Sequence, residues 1–264
     1  MKKIILTICL SMALPFISEG AELRFTTQDF PPFSYKVEDT VSGPAADIIR
    51  RVCSEINIQC SFELLPWRRA QYWVKTGQAD ALFVIGWNKE RAKWLHFSPP
   101  LLETEYGFFV HKDTPLYYRT PSDISGFEVG VFGPSNTASS LAELKKHMTK
   151  SNLEPIEIHM VHDDTLAFRM LDRGDRDIHY VYSNRDVGLA IIHQEGLQNI
   201  RYAGTQKRLE YYIGFSRTHT DRQLVDAFSE AFKQLDKKGI IRKILAEHRL
   251  KAPEQGQSSN KIMP

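Results

Sequence analysis

The chain has little cysteine, almost no net charge and, past its first twenty residues, no long apolar run. Three cysteines in 264 residues exclude a miniprotein built on disulfides, because such scaffolds are dense in cysteine. Lys+Arg 34 against Asp+Glu 32 leaves a formal charge of +2, so there is no broad basic field and nucleic acid is not an expected partner. No later apolar stretch approaches the ~18 residues of a spanning helix, and a soluble mature chain is expected. The phosphate-cradling GxxxxGK is missing, as are HExxH, GxSxG and GxGxxG, and nucleotide hydrolysis, zinc proteolysis and lipase-type acyl transfer lose their usual support. What is present is average for a globular chain, with hydrophobic residues at 42% and charged residues at 25%. A chain this long buries about three quarters of its unfolded surface, in one large domain or two modest lobes.

Residues 1–20 read as a secretory signal: Lys2 and Lys3 form the charged start, Ile4 to Ile17 the apolar run, and Ser18-Glu19-Gly20 the small-residue cleavage site. Cleavage after Gly20 leaves Ala21 as the new amino terminus of a periplasmic protein, the alternative being a short buried helix. Cys9 departs with the signal. In an exported chain Cys53 and Cys60 are expected to oxidise to a disulfide, and the short loop they close adds about 2.5 kcal/mol in the chain-entropy model. Buried thiols and a metal pair are the other readings, the latter weakened because two ligands do not close a zinc site.

Alternating strand and helix patterns predict an α/β architecture. Leu23 to Thr27 alternates like a strand and ends in Asp29-Phe30-Pro31-Pro32, which cannot continue a ladder. Ala45, Ile48, Ile49, Val52, Cys53 and Ile56 lie on one face of a helix that feeds a strand at Cys60 to Leu65. Pro66 opens a second helix, which runs to about Thr76 and is closed by Gly77. The apolar run Ala79 to Ile85 predicts a strand buried on both faces, opening into Gly86-Trp87-Asn88-Lys89-Glu90-Arg91. Further βα units follow: Phe127 to Phe132 with a helix from Thr137, Ile156 to Val161 with Asp164 to Leu171, and Asp177 to Tyr182 with Arg185 to Ile192. Tyr211 to Phe215 predicts a last strand, before a helical region interrupted near Gly239. Residues 251–264 read as a flexible tail.

Strand ends are where open α/β sheets place ligands. Arg91, Phe30, Trp67, Trp87 and the Ser135-Asn136-Thr137 turn all fall at strand ends or helix starts. A guanidinium offers a planar fork for a carboxylate, and aromatic faces clamp the rest of a small ligand. The bland readings are a surface ion pair of Arg91 with Glu90 or Asp80, and Trp67 and Trp87 in the core. Of the nine histidines, His159 and His162 lie near Asp163 and Asp164. The two would face opposite sides of a strand, and a helix cap accounts for the aspartates, so no metal site is expected. Arg173-Gly174-Asp175 reads as a helix end, with Gly just past it, rather than as an adhesion tripeptide.

Several marks occur in order: Phe30-Pro31-Pro32-Phe33; Gly43 before Asp47-Ile48-Ile49; Gly77-Gln78-Ala79-Asp80-Ala81; Glu90-Arg91 then Phe97-Ser98-Pro99-Pro100; Val129-Gly130-Val131; and Leu235-Asp236-Lys237-Lys238-Gly239-Ile240-Ile241 with Ile244. With these marks the sequence resembles a bacterial extracellular solute-binding protein of the polar amino-acid ABC transporter class, over almost all of residues 22–249. The resemblance implies the type II periplasmic binding fold, two lobes joined by two crossing segments and closing on a ligand like a hinge. Lobe one is then 22–110 plus 212–250 and lobe two 111–211, with crossings near Val110-His111 and Ile213-Gly214. It also implies a Cys53–Cys60 disulfide, as in some binders of basic amino acids. The position of Arg91 takes the ligand carboxylate, those of Phe30 and Trp67 sandwich its side chain, and the Ser135-Asn136-Thr137 turn donates backbone N–H groups to the same carboxylate.

The chain also departs from the family pattern. The interval from Asp80 to Arg91 is one residue shorter, so Gly86, Trp87 and Asn88 have no one-to-one counterparts. Where α-amino-acid binders offer carboxylates to the ammonium group, the aligned positions are Thr27 and Tyr182, with Asp29 as a nearby substitute. The expected ligand set is therefore Arg91, Phe30, Trp67, Trp87, Gly86, Ser135, Asn136, Thr137 and Tyr182. No cofactor, metal or catalytic group is expected, and the expected partners of this monomer are a small carboxylate-bearing solute and an ABC transporter permease. Two other functions fit the resemblance: a dehydratase of cyclic carboxylates, for which Asp29, Glu63 and Asp163 are the candidate acids, and a sensing partner of a membrane kinase.

Overall fold

A computed structural model describes residues 22–174 and 178–253. The signal, its cleavage site and most of the tail lie outside the described residues. The chain begins with β1 (Glu22–Thr27), a hairpin of β2 (Tyr35–Val37) and β3 (Thr40–Ser42), α1 (Pro44–Glu55), β4 (Gln59–Leu64), α2 (Trp67–Lys75), β5 (Ala81–Gly86) and the single turn α3 (Lys89–Ala92). Then come β6 (Leu95–Phe97), β7 (Leu102–His111), β8 (Glu128–Phe132), α4 (Asn136–Lys150), β9 (Glu157–Val161), α5 (Asp164–Arg173), β10 (Tyr180–Asn184) and α6 (Arg185–Glu195). β11 (Ile200–Ser216), α7 (Arg222–Lys237) and α8 (Ile240–Glu247) complete it.

Among the described residues a sheet of nine strands carries the fold, in the order β4-β1-β5-β11-β7-β10-β8-β9, with β6 beside β11. β1 is parallel to β4 and β5, and β8 is parallel to β9 and β10, so there are two parallel groups, as βα repetition requires. Antiparallel β7 and β11 join them. Ile200 to Tyr211 of β11 pair with β7, and Tyr211 to Phe215 pair with β5. On β7, Tyr106 to Phe109 already pair with β10. The arrangement is the type II periplasmic binding fold that the resemblance implies.

Burial follows the patterns read from sequence. Ile48, Ile49, Val52 and Cys53 bury one face of α1, and Phe25 packs its ring against Phe62, Phe215 and Phe228 at 5.6, 6.0 and 6.0 Å. Around the second parallel group, Val129, Val131, Leu141, Leu144, Tyr180 and Tyr182 form their own cluster. Cys53 and Cys60 are disulfide-bonded with Cα atoms 6.3 Å apart, which ties α1 to the strand it feeds. Gly174 ends α5 and Gly239 separates α7 from α8, both with positive φ (72° and 76°), as helix-terminating glycines do.

Candidate functional site

The site is built from the turn after β5. Val84 has φ 58° and is the extra residue where β5 slips against β11: Tyr212 pairs with Ile85 and Ile213 with Phe83. Such a bulge bends a strand and re-aims its end. At that end Asn88 caps α3, its side-chain oxygen accepting from the Arg91 N–H at 2.8 Å. The Arg91 side chain turns back, and Nη1 donates to the Gly86 carbonyl at 2.7 Å. Gly86 leaves the approach open, since even a methyl group there would lie 3.8 Å from Arg91 Nη1. The guanidinium lies 5.6 Å from the centre of the Trp67 ring, which opens α2 directly after Pro66.

From the other parallel group, Asn136 reaches the same guanidinium. With the amide turned so that its oxygen faces the guanidinium, the orientation that satisfies both groups, that oxygen accepts from Nη1 at 2.9 Å and from Nη2 at 3.3 Å. Asn136 is the first residue of α4, which Ser135 caps by accepting from the Ala138 N–H at 3.0 Å while its hydroxyl donates to the Phe132 carbonyl at 2.6 Å. The N–H groups of this first helical turn have no helical partners and carry the positive end of the dipole. Thr137 follows Asn136 in that first turn.

Below Arg91 lie two buried tyrosines, Tyr106 and Tyr211. Phe30 meets Tyr211 edge-on and Phe33 at a tilt, with ring centres 5.9 and 5.3 Å away. Asn184 donates to the Tyr211 hydroxyl at 3.3 Å and to Thr104 Oγ1 at 3.0 Å, and Thr104 donates to Asp186 at 2.7 Å. A polar line thus crosses the sheet at β7 and β11 beneath the arginine. Burial lowers the pKa of Arg91 and raises that of Tyr211 well above its ordinary value. Among the described residues no carboxylate lies within ion-pair distance of Arg91, so neither Glu90 nor Asp80 is its partner: Glu90 pairs with Lys93 at 2.7 Å and Asp80 with Arg24 at 3.1 Å.

Arg91, Trp67, Gly86 and Asn136 therefore meet directly, Phe30 joins them through Tyr211, and Thr137 stands beside Asn136 in the first turn of α4. Two expected residues do not. Tyr182 is fully buried in the core, its hydroxyl bonded to Gln206 at 2.6 Å and Ser140 at 3.2 Å. The cause is that β10 runs on to Asn184, two residues past the expected strand end, so Asn184 holds the strand-end position. Trp87 lines a separate pocket with β6 and α7. Thr27 is buried and bonded to Ser34 at 3.0 Å, and Asp163 caps α5 by accepting from the Thr165 N–H at 2.9 Å. No group of three metal-ligating side chains occurs among the described residues. Sequence reasoning missed Tyr106, Tyr211 and Asn184. The Asn88 to Arg91 spacing of an N-cap was the readable signal for how Arg91 is held.

Residues 24–251 match the family model of bacterial extracellular solute-binding proteins, family 3. The chain belongs to that family. This solute-binding protein is 23% identical over 248 residues to an arginine-binding periplasmic protein of Mannheimia haemolytica, covering 92% of the chain and 97% of the relative. A histidine kinase sensor domain with similarity to periplasmic binding proteins superposes with a TM-score of 0.73, at 22% identity over 88% of this chain and 98% of that one. An ancestral arginine-binding protein bound to arginine gives 0.68, at 21% identity over 86% and 97%.

Proposed function

We propose that the protein captures a small carboxylate-bearing solute, an amino acid or a relative of one, between two lobes in the periplasm and passes it to an ABC-type transporter without chemical turnover. One observation carries the reading: Arg91 is half-buried between the two parallel groups, against a carbonyl, an amide oxygen and an aromatic face, with no acid beside it among the described residues. A ligand carboxylate supplies the missing charge, accepting from the guanidinium fork and from the N–H groups that open α4. Phe30 and Trp67 hold the body of the ligand. The solute enters between residues 22–110 plus 212–250 and residues 111–211, in a monomer whose signal is removed after Gly20. The pairing of Tyr106 to Phe109 with β10 favours drawing the first crossing before Tyr106 rather than at Val110-His111. The arginine-binding relative supports an amino-acid ligand. With Thr27 and Tyr182 buried, the carboxylate end rather than the ammonium end is the anchor.

A thermal-shift panel of amino acids, dicarboxylates and aromatic acids tests this. The expected result is saturable stabilisation by one class without turnover, and in Arg91→Ala an affinity roughly ten- to hundred-fold weaker, the worth of a hydrogen-bonded charge of ~1.5–3 kcal/mol. Unchanged affinity in that variant overturns the site. A second reading, a sensing partner of a membrane kinase, is favoured by the likeness to the kinase sensor domain. A kinase gene beside this one, in place of a permease, would decide for it.

A further inference from the structure

Behind the turn that carries Arg91 lies a cavity of about 220 Å³, walled by β6, by the end of α3 and by one face of α7. Trp87, Leu95, Phe97 and Val225 supply apolar surface, and Arg217 and Arg222 supply two guanidiniums. Arg217 is fixed by its Nε, which donates to the carbonyls of Ala92 and Leu95 at 3.0 Å each, so both of its terminal nitrogens lack a partner among the described residues. Arg222 gives its Nε to Asp226 at 2.9 and 3.0 Å, and its Nη1 stands 3.4 Å from His96 Nδ1. Burial first, and then Arg217 and Arg222, hold His96 below its ordinary pKa and so favour its neutral form. Two guanidiniums against one carboxylate leave the pocket with a surplus positive charge. Among the described residues the buried Trp87 indole N–H has no hydrogen-bond partner, which a native structure rarely leaves unanswered.

We propose that this pocket is a second ligand site, separate from the Arg91 cleft, for a small organic anion with a flat apolar body, a single-ring carboxylate being the class that suits it. The size decides against larger ligands: drug-sized sites occupy ~300–1,000 Å³, and this one is smaller. The chemistry decides the rest. The carboxylate meets the free terminal nitrogens of Arg217, and the ring covers Trp87 and Phe97 between apolar walls. The inference stands without the cleft reading, because none of its walls includes Arg91, Trp67 or Asn136.

The probe is 4-fluorobenzoate, followed by fluorine NMR on the mature protein. Saturable binding is expected, undiminished in Arg91→Ala and at least tenfold weaker in the double variant Arg217→Gln, Arg222→Gln. The half-buried Ser229 lies on the α7 wall, and Ser229→Trp fills the cavity and abolishes binding while leaving the charges in place. Neutral 4-fluorobenzyl alcohol is expected to bind at least tenfold more weakly than the acid. No saturable binding overturns the proposal, as does binding that survives Ser229→Trp or disappears in Arg91→Ala, the latter assigning the probe to the cleft. Melting temperatures of the variants confirm that each is folded, and the double arginine variant, exposed at both positions, serves if Ser229→Trp is not.

Discussion

Arg24 and Arg91 belong to the same parallel group, and their surroundings are opposite. Arg24 forms a closed circuit with Asp80: its backbone N–H and Nε donate to Oδ2 at 2.8 and 3.1 Å, and Nη2 donates to Oδ1 at 3.2 Å and to the Gly77 carbonyl at 2.9 Å. The bond to Asp80 raises its pKa, whereas burial lowers that of Arg91. One cation is answered by an acid of its own chain and pins β1 to the loop before β5. The other is desolvated and, among the described residues, answered only by neutral oxygens and an aromatic face. Desolvating a charge without its counter-charge costs stability, and a fold tolerates that where a ligand supplies the counter-charge.

The largest expected effect follows from breaking the closed circuit. Asp80→Ala removes the acceptor of three Arg24 donors and is expected to cost about 1.5–3 kcal/mol in urea unfolding while leaving ligand affinity unchanged. The lower part of that range is the better guide because the Arg24 side chain is 44% exposed. Arg91→Ala is expected to do the reverse, with stability within about 0.5 kcal/mol of the wild type and affinity roughly ten- to hundred-fold weaker. If Arg91→Ala destabilises as much as Asp80→Ala, the contrast fails and Arg91 is structural. Arg91→Lys sharpens it further. The charge stays but the planar fork goes, and titration calorimetry should find affinity about tenfold weaker at unchanged stability.

Much of this was legible in the sequence, and the reasons differ by element. α1 announced itself through Ile48, Ile49, Val52 and Cys53, because a helix packed on one side repeats its apolar face. The parallel strand β5 read as an unbroken apolar run for the same reason of burial. β11 was half seen. Tyr211 to Phe215 are apolar, but Gln206 to Glu210 cross between the two groups with one side open, and their polar residues mask the strand. Tyr182 went wrong because its backbone position depends on where β10 stops, and polar Ser183 and Asn184 looked like loop while being buried and paired. Tyr106 and Tyr211 carried no sequence signal as neighbours of Arg91, since strands far apart in the chain bring them there.

Asp164 offers the last and smallest test, because it is an acid placed much as Arg91 is. It opens α5, half-buried, and burial first and then the neighbouring Asp163 push its carboxyl up to about 7. The folded state therefore keeps a proton that the unfolded chain, with an ordinary carboxyl at about 4, releases. Between about pH 4 and 7 the unfolded state binds fewer protons, so this group withdraws stability as pH rises, with the full penalty above 7 and none below 4. Asp164→Asn should gain about 1 kcal/mol or more at pH 8 and nothing at pH 4, read as melting curves across that range. Parallel curves for wild type and variant would remove Asp164 from the account. The sign separates it from Arg91: a buried carboxyl escapes its cost by taking up a proton near neutrality, whereas a guanidinium stays charged at any physiological pH.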